Sequence, residues 1–207
     1  MMSSFNLWYH PLYTDGIHDG ARFPKYRYQK LLHRLEQSEQ FNQLTIRKPE
    51  PIARRSLLLA HDATYVDGFL KGKLSEKEMR RIGLMPWTPK MIERTLRLTG
   101  GAVEATIHAV KYGGITGNMA GGTHHAHRDF GSGYCVFNDL AISAMHAIEN
   151  LGVGRVAILD LDVHQGDGTA AILSKEDRTR TISVHCSTNF PFRKSESDFD
   201  SVSYTHL

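Results

Sequence analysis

RVAILDLDVHQGDG, residues 155–168, is the stretch whose reading decides the fold. Its apolar run, Val156–Leu159, is short and continuous, which predicts a parallel strand covered on both faces. The run ends in a cluster of three carboxylates and one imidazole: Asp160, Asp162, His164 and Asp167. In open α/β sheets, chemistry gathers at the carboxyl ends of strands. Side chains alternate along an extended chain, so Asp160, Asp162 and His164 share one face. Asp162 and His164 are then placed to reach one metal ion from one edge. Their oxygen and nitrogen donors suit zinc or another first-row divalent ion. Taken alone, the stretch also reads as a strand followed by turn residues, with Gly166 and Gly168 making the turn.

The flanking segments agree with an α/β domain. Upstream, Phe137, Leu140, Ala141, Ala144, Met145, Ile148 and Leu151 recur at helical spacing, with Asn138 as the cap and Gly152 as the stop. Downstream, a helix is expected over 168–173 and a strand over 181–186. Earlier in the chain, Thr88-Pro89 predicts a helix start, and the apolar spacing continues from Met91 to Val110. Gly100 and Gly101 interrupt that helix at a cost of about 1 kcal/mol each, which close packing against a neighbour would offset. Gly113-Gly114 ends it. A helix over 25–39, a short strand at Thr45–Ile46 and a short helix over 61–70 complete the pattern. Residues 1–30 read as a short strand or irregular segment. Strands alternating with helices predict an α/β fold with a parallel sheet.

Composition bounds the rest. The chain has 207 residues, 41% hydrophobic and 23% charged, which fits one globular domain and excludes low-complexity or disordered classes. No apolar run approaches the ~20 residues of a membrane span, and residues 1–11 lack the features of a signal peptide. Two cysteines, Cys135 and Cys186, cannot staple a domain of this size, so an intracellular location, cytoplasmic or nuclear, is expected. The net charge is +3, but the basic residues are scattered, as at Arg54-Arg55 and Arg80-Arg81. Nucleic-acid binding is therefore not expected.

Histidine is the anomaly, at 12 residues. Residues 121–127 read GGTHHAH, too glycine-rich for a helix, so a loop must aim His124 and His125 at one target. His127 reads as a surface residue, and His108 and His146 as packed or solvated helix residues. A tandem imidazole pair followed by a strand-end Asp-x-His suits metal-assisted hydrolysis. The ion polarises a carbonyl and activates water, and the imidazoles move protons.

Three ordered blocks carry a resemblance. GGTHHA at 121–126, GSGYCVFND at 131–139 and DLDVHQGDGT at 160–169 together resemble the zinc-dependent histone deacetylase family. The likeness extends from about residue 8 to 200, and includes RFPKY at 22–26 and NFPFRK at 189–194. Gln165 and the RFPKY start are most similar to the class IV and bacterial branch.

The resemblance implies a three-layer αβα fold with a mostly parallel sheet, arginase/deacetylase-like. It implies Asp162 and His164 as two of three zinc ligands. His124 and His125 match the dyad facing the reacting water and acyl oxygen, with His125 as the general acid–base. Asp160 and Asp167 match the carboxylates behind the two imidazoles. Gly133 and Tyr134 match the tunnel that holds the acyl-lysine stem, although Tyr134 also reads as a core aromatic beside Phe137. Oxygens of Asp160, Asp162, His164, Ser183 and Val184 match a monovalent-cation site, potassium in this family. The implied substrate is an acetylated protein or polyamine, without a membrane.

The resemblance also implies that the last third of the domain, with a third aspartate ligand and an oxyanion-stabilising tyrosine, falls outside these residues. The expectation is a partial domain over 1–200 and an unrelated tail over 201–207, with strand 181–186 left without a neighbour on one side. The chain alone is then expected to be inactive. The rival expectation is a non-catalytic scaffold that binds acyl-lysine or a partner.

Overall fold

The computed structural model describes residues 5–203. The elements in chain order are β1 (Phe5–Trp8), α1 (Leu12–Asp15), α2 (Arg27–Glu36), β2 (Leu44–Arg47), α3 (Arg54–Leu57), α4 (Ala63–Leu70) and α5 (Glu76–Ile82). They continue with α6 (Met91–Tyr112), β3 (Thr116–Asn118), α7 (Asp139–Leu151), β4 (Val156–Asp160), α8 (Asp167–Leu173), β5 (Thr179–Cys186) and β6 (Phe199–Ser203). All strand pairs are parallel, in the orders β2-β1-β3 and β4-β5-β6. Helices flank the sheets, the α/β architecture of a three-layer arginase/deacetylase-like fold. No described helix is long and apolar enough to cross a membrane.

Local chemistry explains most boundaries. Asn138 caps α7, its Oδ1 accepting from the Ala141 N–H at 3.0 Å, and Gly152 ends it in the left-handed conformation. Helix α6 begins at Met91, two residues after the expected start. The Thr88 hydroxyl lies before the N-cap Lys90, accepting from its N–H at 3.2 Å and donating to the Gly16 carbonyl at 2.7 Å. Helix α5, unforeseen in the sequence, carries a full capping box between Ser75 and Glu78.

Gly100 and Gly101 do not break α6; they let it approach its neighbours. A Cβ at Gly100 would sit 2.0 Å from the Glu50 carbonyl oxygen, and one at Gly101 2.8 Å from the Tyr13 hydroxyl. Gly100→Ala is therefore expected to destabilise by about 1–3 kcal/mol, because overpacking outweighs the gain in helix propensity. A urea-unfolding midpoint at or above wild type would contradict this.

The expectation that β4 is covered on both faces fails. Ala157 is exposed and Leu159 is 60% exposed. Among the described residues, β4 pairs only with β5, and β3 only with β1. Between these open edges lies an apolar cavity of about 800 Å³, lined by Ala102, Ala105 and Ala109 of α6 and by Ala144 and Ala147 of α7. The expected open edge at strand 181–186 is also corrected. β5 is central, because Phe199–Ser203 pairs with Ile182–Cys186. The expected domain boundary at residue 200 falls inside β6, and residues 204–207 of the expected tail, with Tyr204, lie outside the described residues.

Candidate active site

Residues 119–127 connect β3 to the block that leads into α7, and this loop carries the histidine pair. Its path is fixed by Asn138 and Asp139 at the start of α7. Asn138 Nδ2 donates to the carbonyls of His124 at 3.3 Å and Ala126 at 3.0 Å, and to the Thr169 hydroxyl. The buried Asp139 carboxylate accepts from the Gly122 N–H at 3.1 Å, the Thr123 N–H at 2.7 Å and the Thr123 hydroxyl at 2.6 Å. Burial pushes the Asp139 pKa up, and these donors oppose the shift. On the other side, Gly168 lets α8 press against the loop. A Cβ there would lie 2.3 Å from the Ala126 carbonyl oxygen.

His61, buried in α4's approach, supports the same junction. Its Nε2 accepts from the Asn138 N–H at 2.9 Å, and its Nδ1 faces the Arg128 carbonyl at 3.3 Å. Burial lowers its pKa to about 4. An unfolded His61 binds a proton below about pH 6.5, which the folded residue refuses until about pH 4. Stability is therefore expected to fall by roughly 3 kcal/mol as pH drops through that window. His61→Gln should remove this part of the pH dependence in denaturant titrations at pH 7 and 5. An unchanged pH dependence would contradict the assignment.

The expected residues converge. His124 Nδ1 lies 2.5 Å from Asp160 Oδ2, and His125 Nδ1 lies 2.6 Å from Asp167 Oδ1. A carboxylate only accepts, so each Nδ1 carries the hydrogen and each Nε2 keeps its lone pair. The two rings stand 4.1 Å apart, centroid to centroid. Their environments push them apart in basicity. Burial lowers the His124 pKa, but the bond and charge of Asp160 outweigh it and the net shift is upward. For His125, burial prevails over Asp167 and the net shift is downward. Such divergence within one pair is the usual sign of divided acid–base roles.

Asp162 and His164 follow β4 at the same rim. His164 Nδ1 and Asp162 Oδ1 are 2.8 Å apart, and His124 Nε2 is 3.9 Å from the same oxygen. Both side chains are partly exposed, unlike the buried dyad. The β4–β5 register sets Asp160 beside Ser183, with Val184 next along the chain. Gly133 and Tyr134 line the same cavity as the dyad, both with positive φ. A Cβ at Gly133 would come 2.6 Å from the His125 ring. Tyr134 is no core aromatic. It is 42% exposed and meets Phe23 edge-on at 5.3 Å.

The dyad, Asp162, His164 and Tyr134 line one cavity of about 1210 Å³. Two further residues shape it that the sequence did not single out. Phe190 stands edge-on to His125 at 4.8 Å. Arg94, on α6, is fully buried and bonds the Tyr13 carbonyl, with no carboxylate partner among the described residues. His127 departs from its reading as a surface residue. It is mostly buried, and its Nε2 lies 2.9 Å from Asp167 Oδ2.

The donor set offers a first-row divalent ion one imidazole nitrogen and one carboxylate oxygen that already converge, which fits such an ion in kind. Among the described residues, no group of three or more His, Cys, Asp or Glu is placed to hold a metal. Asp198 and Asp200 supply no third donor. Asp198 is held by Thr181, and Asp200 by Gln165 and Ser197.

Comparison with known proteins shows the family. A histone deacetylase domain is matched over residues 21–205. A protein of the cyanobacterium Picosynechococcus is 41% identical over 197 residues, covering 95% of this chain and 65% of its own length. A probable deacetylase of Methanothermobacter thermautotrophicus is 31% identical, over 84% of this chain and 52% of its own. The acetoin utilization protein AcuC of Staphylococcus aureus is 28% identical, over 87% and 50%. The chain thus spans between half and two thirds of these relatives' lengths. With the matched domain covering most of its residues, the chain belongs to the histone deacetylase family.

Proposed function

We propose that these residues form the larger part of a hydrolytic site that cleaves the amide of an acylated primary amine, most simply acetyl-lysine. The observation that carries the reading is the pair of buried imidazoles, each backed through Nδ1 by its own carboxylate and set beside the Asp162–His164 donors. Asp162 and His164 would hold a zinc ion. Catalytic zinc sites use three protein ligands, so the third comes from outside the described residues. When bound, the ion polarises the acyl carbonyl and lowers the pKa of the attacking water.

His125, kept neutral by burial, takes a proton from that water through Nε2. His124, whose shift favours the charged form, faces the developing negative charge on the acyl oxygen. The proton held by His125 passes to the departing nitrogen as the C–N bond breaks, and the products are a carboxylic acid and an amine. Tyr134, Phe190 and Gly133 form the aromatic walls and narrow floor for the stem, where each buried methylene contributes about 0.8 kcal/mol. The buried Arg94 gives the lining of the cavity a positive charge suited to the product carboxylate. Oxygens around Asp160, Asp162, His164, Ser183 and Val184 would take a potassium ion, whose charge steadies the β4–β5 junction.

The test joins residues 1–207 to the part of the Picosynechococcus relative beyond the match. The fused protein is expected to release free amine from an acetyl-lysine peptide when zinc-loaded, and acetylated polyamines and longer acyl chains compare the substrate range. A folded, zinc-loaded fusion that hydrolyses none of them would sink the proposal. It would favour the reading as an acyl-lysine-binding scaffold.

A further inference from the structure

The Asp167 carboxylate has two imidazole partners, not one. Its Oδ1 accepts from His125 Nδ1 at 2.6 Å and its Oδ2 from His127 Nε2 at 2.9 Å. The carboxylate is 9% exposed. Burial alone raises its pKa, and the bonds from His125 and His127 outweigh that and lower it. His127 is held in turn. Its ring stacks on Phe130 at 4.5 Å with planes 16° apart, its backbone N–H donates to the Phe130 carbonyl, and the Arg81 guanidinium lies over the Phe130 ring. A carboxylate with one partnered oxygen can turn about its Cβ–Cγ bond. With both oxygens engaged by fixed donors, it cannot turn without losing a buried hydrogen bond, which costs about 1–3 kcal/mol.

We propose that His127 is a positioning residue. By donating to Asp167 Oδ2 it locks the carboxylate so that Oδ1 stays on His125 Nδ1, which leaves His125 Nε2 as the working nitrogen. This rests on the reading of His125 as the proton carrier, but the hydrogen bond itself is observable without turnover.

The imidazole partners of Asp167 make a buried, protected N–H at His125 Nδ1. It is read by histidine-selective 15N labelling and proton NMR of the full 207-residue chain. Wild type is expected to show a downfield His125 Nδ1 proton that exchanges slowly with water. His127→Phe keeps the ring stack on Phe130 and removes only the donor. Its His125 proton is expected to broaden into solvent exchange and to move upfield. His127→Gln loses the ring but places an amide N–H near the Nε2 position, and is expected to restore the wild-type resonance. A His125 proton unchanged in His127→Phe overturns the proposal. So does a His127→Gln chain that folds and yet loses the resonance, because stacking rather than donation would then be the role of His127. A fusion without hydrolytic activity leaves these spectra readable, so failure of the functional reading and failure of the positioning role are distinguished.

Discussion

His125→Ala in the fused protein is expected to slow acetyl-lysine hydrolysis by roughly 10²–10⁴-fold, with zinc content unchanged. The two halves of that result rest on different atoms. His125 Nδ1 is committed to Asp167, and its Nε2 makes no hydrogen bond among the described residues while its ring lines the cavity. Removing it removes the proton carrier. The ring is committed elsewhere, with its Nδ1 on Asp167, and the pair placed for a metal is Asp162 with His164. Elemental analysis and steady-state rates on the same preparation check both halves. Zinc that falls in step with activity would place His125 among the ligands instead.

His164→Ala is expected to have the opposite signature: zinc binding lost first and activity with it. The described residues supply two converging donors, so this change removes half of them. Altering a residue that merely supports a ligand costs about 10–100-fold in affinity, and losing a ligand costs more. Zinc affinity is therefore expected to fall by at least about 100-fold, measured by competition with a chromogenic chelator. Added zinc should recover little of the rate. The side chain lies at the partly exposed rim, and β4 ends before it, so the fold should survive. A variant with wild-type zinc affinity would remove His164 from the metal site.

How much of this was legible in the sequence depended on the range of the interactions. The periodicity of α7 and its Asn138 cap, the apolar run of β4 and the strand at 179–186 are local signals, and each was read to within a few residues. The site residues were legible because the GGTHHA and DLDVHQGDG blocks are dense with chemistry. The pairing of His124 with Asp160 and of His125 with Asp167 came from the family resemblance, and the structure places those partners at hydrogen-bond distance. What stayed hidden was non-local. His127 reads as a surface residue until the fold brings Asp167 to its Nε2. Arg94 looks like one more charge on a helix until the fold buries it with no carboxylate beside it among the described residues. The exposure of Leu159 is likewise not written in its own segment, because an apolar strand reads the same with one covered face or two. The role of Gly168 is also tertiary, since only the packed loop shows that a side chain there would strike the Ala126 carbonyl.

The central claim is that water attacks an acyl amide with the help of the His125 base. The most direct measurement is the fate of solvent oxygen. The zinc-loaded fused protein is given an acetyl-lysine peptide in 18O-enriched water, and the released acetate is analysed by mass spectrometry in single turnover. The account predicts free lysine amine and acetate in equal amounts, each acetate carrying one solvent oxygen, with both products formed far more slowly in His125→Ala. Acetate without solvent oxygen, an acyl group moved to another acceptor, or undiminished product from His125→Ala would contradict it.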